Sequence, residues 1–393
     1  MSPYKIARKI LPNSIQAWLG NRHKVKRKTL DPLLFNFTNH PAEEHLLYEK
    51  APTLNVPISA LEGNPFIEPA VAATYRWWYE KTLLQQVVRV QGGVCIEPKT
   101  GWPMGGSNQL YLSLHPAGIS PYMPVPAYKT IFRKTPQIAL DKVISLRDVN
   151  EAGYSHFYTD LMAKLEVIRG AGCNLKEYTL VISKAVAETP YGRFLMENSP
   201  LFSELGGIFL QGDEFIACKE AIFTSVFVHP TITHNAIFKR VAEQAKAAHP
   251  ISDAVGNRKV FLTRGKHRRR TMRNNEEIVE IVRAKGFEIV DADCLSLPQQ
   301  IELFTHCRYL VGIHGAGLAN MLYRHPHTLS LFEICEPIRP ILGLNPLYHN
   351  MAVAFGFDYG AVMGEANHNE NQSFHMPPEK FETAFHAFWA AKG

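Results

Sequence analysis

The stretch VGIHGAGLANMLY, residues 311–323, sets three glycines, a histidine and an asparagine where an apolar strand gives way to a helix expected from Leu318. Glycines at 312, 315 and 317 leave the backbone bare for close approach. Amides at a helix start, together with the positive end of its dipole, suit an anion such as a phosphate. His314 adds a side-chain donor and Asn320 an amide one turn inside the helix. The spacing is GxxGxG, not the GxGxxG of dinucleotide-binding folds, and no acid follows at the ribose-binding distance. A tight strand-to-helix turn with His314 as an ordinary structural group explains the same letters.

Other chemistry-bearing residues surround this loop. The run RKVFLT ends in Arg264 and leads into a basic stretch, RGKHRRRTMR, at 264–273. Arginines at a strand's carboxyl end point into the crevice where open α/β sheets bind ligands. Arg264 is therefore expected to face an anion, with most of 266–269 solvated. The run TLSLFEICE at 328–336 carries Glu333 and Glu336 at its end. A carboxylate there can accept both ribose hydroxyls of a nucleotide, or be a plain surface acid. In the first half, His156 and Asp160 stand four apart on one helix face. Such a pair can polarise a hydroxyl as a general base, contribute two metal ligands, or make ordinary contacts at a helix start. No further ligand stands at a zinc-like spacing. Asp291-Ala292-Asp293 spells DxD, a triplet that also reads as a polar loop.

The elements that must position these residues follow from periodicity. From about residue 139 to 310 short apolar runs alternate with amphipathic stretches, the signature of βαβ units and a parallel sheet. Strand-like runs are 85–96, 108–114, 178–183, 206–210, 221–228, 258–263, 287–290, 308–313 and 328–334; helical patterns lie at 156–170, 232–248, 274–285 and 297–306. Four segments result: a basic N-terminal piece (1–30), an N-terminal α/β domain (31–235), a Rossmann-like unit (236–375) and a closing helix (376–393) with an apolar stripe at Phe381, Phe385 and Phe388. A linker is expected near 229–237.

Length and composition agree with a globular protein of two ordinary domains: 393 residues, 46% hydrophobic and 20% charged. The six cysteines lie far apart without a CxxC pair, which favours reduced, buried thiols. No run of 18 apolar residues predicts a membrane span, and no signal-peptide pattern opens the chain. Lys5, Arg8, Lys9, Arg22, Lys24, Lys26, Arg27 and Lys28 meet no acid before residue 30. That segment reads either as a peripheral contact with anionic lipid on a cytoplasmic membrane face or as a terminal helix with a solvated linker. Nucleic acid is the weaker partner, since the basic runs lack the interleaved aromatics that stack bases.

Taken together these pieces resemble glycosyltransferase family 61. Its G-x-HGAGL-x-N hallmark is similar to Gly312-Ile-His314-Gly315-Ala316-Gly317-Leu318-Ala-Asn320, with Tyr323 three residues on. Its SR…R-x-I-x-NE-x-E pattern resembles Thr263-Arg264 followed by Arg270-Thr-Met272-Arg-Asn274-Asn275-Glu276-Glu277, with threonine for serine and asparagine for the acid. Its YHW-x-x-D segment resembles Tyr154-Ser155-His156-Phe157-Tyr158-Thr159-Asp160, with phenylalanine for tryptophan. The likeness covers roughly 150–360.

The resemblance implies a GT-B-like architecture, two Rossmann-like domains facing across a cleft. It also implies a nucleotide-sugar donor, inversion at the anomeric carbon and no obligatory metal or other cofactor. Arg264, Arg270, Gly312, His314, Gly315, Ala316, Gly317, Leu318 and Asn320 would then hold a diphosphate, UDP-linked in the simplest case, and Glu333 the ribose. Asp160 with His156 would act as the base, and His314 would bind phosphate or act as an acid toward the leaving group. The acceptor would be a glycan or lipid-linked saccharide of a bacterial surface polysaccharide. A non-catalytic nucleotide- or glycan-binding protein of the same fold is the alternative.

Overall fold

In the computed structural model the residues described are 36–38, 43–46, 58–79, 87–105, 109–111, 135–148, 150–224, 235–249, 256–264, 271–337, 345–366 and 373–392. The basic N-terminal segment, most of the expected linker, and 265–270 with Arg270 lie outside them.

The first half is built on a mixed sheet. Val87–Ile96 (β1) runs antiparallel to Ile216–Thr224 (β5), which lies parallel to Ile138–Ser145 (β2). Next come Thr179–Ser183 (β3) and Gly207–Gln211 (β4), both parallel. The apolar run expected to start at 221 starts five residues earlier. IALDKVIS, the sequence of β2, escaped the pattern because Asp141 and Lys142 interrupt its apolar residues. Before these strands lies a helix, Pro69–Tyr79 (α1). Between β2 and β3, the consecutive stretches Tyr154–His156, Phe157–Met162 and Ala163–Gly170 form one helix (α2) whose middle widens into a π turn. Such turns are rare and occur often at functional sites.

After Asn235–Ala247 (α3) the second half forms a five-stranded sheet, every neighbouring pair parallel. Its strands are Arg258–Thr263 (β6), Glu288–Asp291 (β7), Cys307–Ile313 (β8), Ser330–Cys335 (β9) and Asp358–Met363 (β10). The spatial order is β7-β6-β8-β9-β10. Numbered within this unit that is 2-1-3-4-5, the flavodoxin-like doubly wound order. Asn275–Ala284 (α4), Leu297–Thr305 (α5) and Leu347–Phe355 (α6) connect strands, and Pro378–Lys392 (α7) closes the chain. DYGAVM, the edge strand β10, was not foreseen.

Both faces of this sheet are covered, which accounts for the nearly continuous apolar strands. On one side Phe261, Val311 and Phe332 pack against Ile278 and Val282 of α4 and against Phe381, Phe385 and Phe388 of α7. On the other, Val260, Leu262, Leu310 and Leu331 share one core with Leu165 and Ile168 of α2, Ile182 of β3 and Phe238 and Val241 of α3. A single core therefore joins the two halves. Part of the expected N-terminal domain, 31–235, also packs on the second sheet. Ile67 bridges to Ala361, and the Glu68 amide donates to the Ala361 carbonyl at 3.0 Å, so 64–68 run along β10 and fix α1 to the second sheet.

The closing helix depends on a few rings. Phe385 is 1% exposed against Phe287, Phe332 and Phe381. Phe385→Ala should therefore lower the unfolding free energy by about 3–5 kcal/mol, measured by urea denaturation.

Candidate active site

The switch in a doubly wound sheet lies between the strands whose connections leave in opposite directions, here β6 and β8. Leu262 is in register with Gly312. Thr263-Arg264 and Ile313-His314 therefore leave the sheet side by side. Gly312 and Gly317 serve packing: a Cβ on the first would lie 2.9 Å from Leu318 Cδ2, and one on the second 2.8 Å from Leu262 Cδ2. Gly315 serves Arg264. A Cβ there would lie 2.8 Å from the guanidinium carbon and both terminal nitrogens, so the guanidinium rests directly over the bare backbone. Arg264 Nη1 also donates to the His314 carbonyl at 3.2 Å. Tyr348 of α6 holds the other side, its hydroxyl donating to the Gly315 carbonyl at 2.6 Å.

Two expectations are corrected here. The segment Ala316–Tyr323 is a 3-10 helix, not an α-helix starting at Leu318, and the Leu318 amide already bonds the Gly315 carbonyl at 2.9 Å. The positive charge at this corner is thus that of the seated guanidinium more than of an α-helix dipole. Gly315, Leu318 and Asn320 are buried, and only Ala316 and Gly317 of the loop are half-exposed. Leu318 is a core residue. Asn320 spends its amide within the protein, where Nδ2 donates to Gln300 Oε1 and to the Gly317 carbonyl at 3.0 Å each.

Glu333 is the second correction. It is 0% exposed, in mid-strand, and cannot receive a ribose. One carboxylate oxygen bonds Nδ1 of His314; the other takes the hydroxyl of Tyr359, with the Tyr75 hydroxyl at 3.4 Å. A carboxylate only accepts, so Nδ1 of His314 is the donor in that bond, and Nε2 can donate to an anion only in the doubly protonated ring. Burial, with the Glu333 charge beside it, raises the Tyr359 pKa well above its ordinary 10, keeping the hydroxyl a donor. The eventual strand end, Glu336, is half-exposed.

The first-half motif meets this loop. Tyr154 at the start of α2 donates its hydroxyl to Asn320 Oδ1 at 2.5 Å, and the Tyr158 and Tyr323 hydroxyls lie 2.7 Å apart. At the entry to the π turn, Nδ1 of His156 bonds Oδ2 of Asp160, and the two side chains are 39% and 13% exposed. Burial disfavours the imidazolium of His156, but the Asp160 carboxylate outweighs it and the pKa is raised above 6.5. Lys164, one turn on, pairs with Asp148 at 3.5 Å; both are buried. The pair's two charges act on His156 in opposite senses, Asp148 favouring and Lys164 disfavouring the imidazolium.

Among the described residues no group of three or more His, Cys, Asp or Glu could hold a metal ion. Asp291 of the DxD triplet caps a short turn by accepting from the Asp293 amide at 3.0 Å, a structural use. All six cysteines are free thiols; Cys218, Cys307 and Cys335 are buried as expected, whereas Cys95 and Cys173 are half-buried and Cys294 is exposed. Sequence reasoning missed Tyr75, Tyr348 and Tyr359. Isolated tyrosines in unpatterned segments carry no local signal, and only the edge pairing along β10 brings Tyr75 to Glu333.

A parallel sheet in the 2-1-3-4-5 order, with a guanidinium seated on a glycine loop at its switch point, defines a doubly wound α/β unit. The family model described as Glycosyltransferase 61 matches residues 154–331. That span runs from Tyr154 through both motifs to β9, so the likeness to this family falls on the two segments that meet at this corner. No curated protein matches the chain.

The seat can be tested without disturbing the core. A methyl at Gly315 meets the far end of a flexible side chain. Gly315→Ala should leave thermal unfolding near wild type while displacing Arg264. Affinity for a nucleoside diphosphate should fall about 10- to 100-fold, as expected for one or two charge-assisted hydrogen bonds, by calorimetry with UDP.

Proposed function

We propose that the protein is an inverting, metal-independent glycosyltransferase of GT-B-like architecture. It takes a UDP-linked sugar and delivers it to a glycan or lipid-linked saccharide in bacterial surface polysaccharide synthesis. The observation that carries this reading is the Tyr154–Asn320 hydrogen bond, which joins the motif holding a His/Asp dyad to the glycine loop holding Arg264.

Inversion needs one displacement. The acceptor oxygen bonds the anomeric carbon, its proton passes to a base, and the carbon–phosphate-oxygen bond breaks with its electrons leaving on the diphosphate. Asp160, coupled to His156, is the base in this reading. Arg264, the half-exposed backbone at Ala316 and Gly317, and Nε2 of His314 meet the departing diphosphate, joined by Arg270. Fixed donors aimed at developing charge are the main electrostatic resource of such a site. Glu333 is withdrawn from ribose binding and assigned to His314. Residues 1–30 would rest against anionic lipid on the cytoplasmic face, close to a lipid-linked acceptor.

A mass-spectrometric screen of nucleotide-sugars for transfer and hydrolysis tests the activity. Calorimetric binding of UDP with neither reaction would instead favour the non-catalytic reading. Asp160→Asn should reduce kcat about 10²- to 10⁴-fold, the usual worth of a general base, with UDP affinity near wild type. Full activity in that variant would sink the assignment.

The raised pKa of His156 gives a second check. Its pairing with Asp160 stabilises the fold fully below the ordinary value of 6.5, and that contribution is lost as pH rises through the higher folded value. The difference in melting temperature between wild type and Asp160→Asn should therefore narrow from about pH 6 to about pH 9. A constant gap would rule out the charged pair.

A further inference from the structure

The family match begins at residue 154, yet the carboxylate that holds His314 is completed by a side chain far upstream of it. Tyr75 lies on α1 and is 0% exposed. Its hydroxyl stands 2.9 Å from that of Tyr359 and 3.4 Å from Glu333 Oε2. The helix is held there by several bonds besides the bridge at Ile67. Asn64 Nδ2 donates to the carbonyl of Tyr359 itself at 2.8 Å. Glu68 accepts from the Met363 amide at 2.7 Å and from Lys380 at 2.9 Å. The same segment thus fixes both ends of the contact, the tyrosine that enters and the tyrosine it meets.

We propose that Tyr75 is a positioning residue for His314, acting with Tyr359 through Glu333, so that α1 is part of the diphosphate-side machinery although it lies outside the family-matched span. The proposal rests on the reading of His314 given above. A buried carboxylate must have its oxygens satisfied. Here two tyrosine hydroxyls occupy Oε2 and the imidazole takes Oε1. His349, whose ring lies 5.8 Å from that of Tyr75 and 5.0 Å from that of Tyr359, supplies no counter-charge, since burial depresses its pKa to about 4. The orientation of the carboxylate, and hence of His314, is set by hydroxyls anchored on two different elements.

The test separates positioning from packing and from the transferase reading. Tyr75→Phe keeps the ring and removes the hydroxyl, so the melting temperature should stay near wild type. Transfer should slow about tenfold in kcat, and the loss should disappear when Tyr75→Phe is added to Glu333→Gln, because both act on one bond. Independently of activity, protein with ¹⁵N-labelled histidine and no substrate should show a downfield Nδ1–H resonance that Glu333→Gln abolishes. Tyr75→Phe, and separately Tyr359→Phe, should shift or broaden it. An unchanged resonance in folded Tyr75→Phe, or kcat losses that multiply in the double variant, would overturn the proposal. If wild type transfers no sugar, the functional reading fails while the resonance still decides this one.

Discussion

A buried amide must find partners for its oxygen and its nitrogen, and at Asn320 this requirement couples the whole molecule. The residue is 0% exposed, and its bonds reach Tyr154 at the head of α2, Gln300 on α5 and the Gly317 carbonyl. None of these is a neighbour in a regular ladder. Satisfying Asn320 requires the first-half helix to start beside the glycine loop. The shared apolar core of Leu165, Ile168, Phe238, Leu262 and Leu310 makes the same demand with far less directional precision. Hydrophobic burial supplies most of the adhesion between the halves, and the Tyr154–Asn320 bond fixes their register.

The glycine loop shows how the same letters can serve a use other than the one their spacing suggests. Bare backbone before a helix suggests amides offered to a phosphate. In the folded chain two of the three glycines make room for Leu262 and Leu318, and the third makes room for a guanidinium. Gly315 has an extended backbone, so its need is spatial and not conformational. The advantage is precision. An arginine on a free loop would lose its rotamer freedom on binding a ligand, whereas one stacked on a peptide plane and tied to the His314 carbonyl has already lost it.

Legibility in the sequence followed the range of the interactions involved. β6 and the helices α4 and α5 appeared within a residue or so of their expected bounds, because local apolar periodicity and caps such as the Ser296/Gln299 box determine them. The two candidate motifs stood out in the sequence through dense, unusual chemistry, and the fold brings them together at the Tyr154–Asn320 bond. The site was not legible where partners are single residues from distant segments: Tyr75 and Tyr359 sit 258 and 26 positions from Glu333. β2 and β10 were missed because Asp141, Lys142 and Gly360 break the apolar run that a central or covered strand usually shows. Their places are fixed by neighbours in the sheet. Glu333 was misjudged since sequence cannot distinguish a strand's middle from its end when no turn residue follows for three positions.

Two imidazole–carboxylate pairs of the same composition flank this corner, and their surroundings set them apart. His156–Asp160 is 39% and 13% exposed, while His314–Glu333 is 6% and 0% exposed. A pair in contact with water can exchange its proton with a substrate hydroxyl and with solvent, as a base must in every cycle. A pair shielded from water is held in one orientation, which suits a fixed group beside a charge that appears and departs. His156 and Asp160 face each other because residues four apart share a helix face. The tyrosine-lined strand interior favours the shielded pair by leaving Glu333 no other orientation. Environment, more than residue type, divides the proposed chemistry between the two histidines.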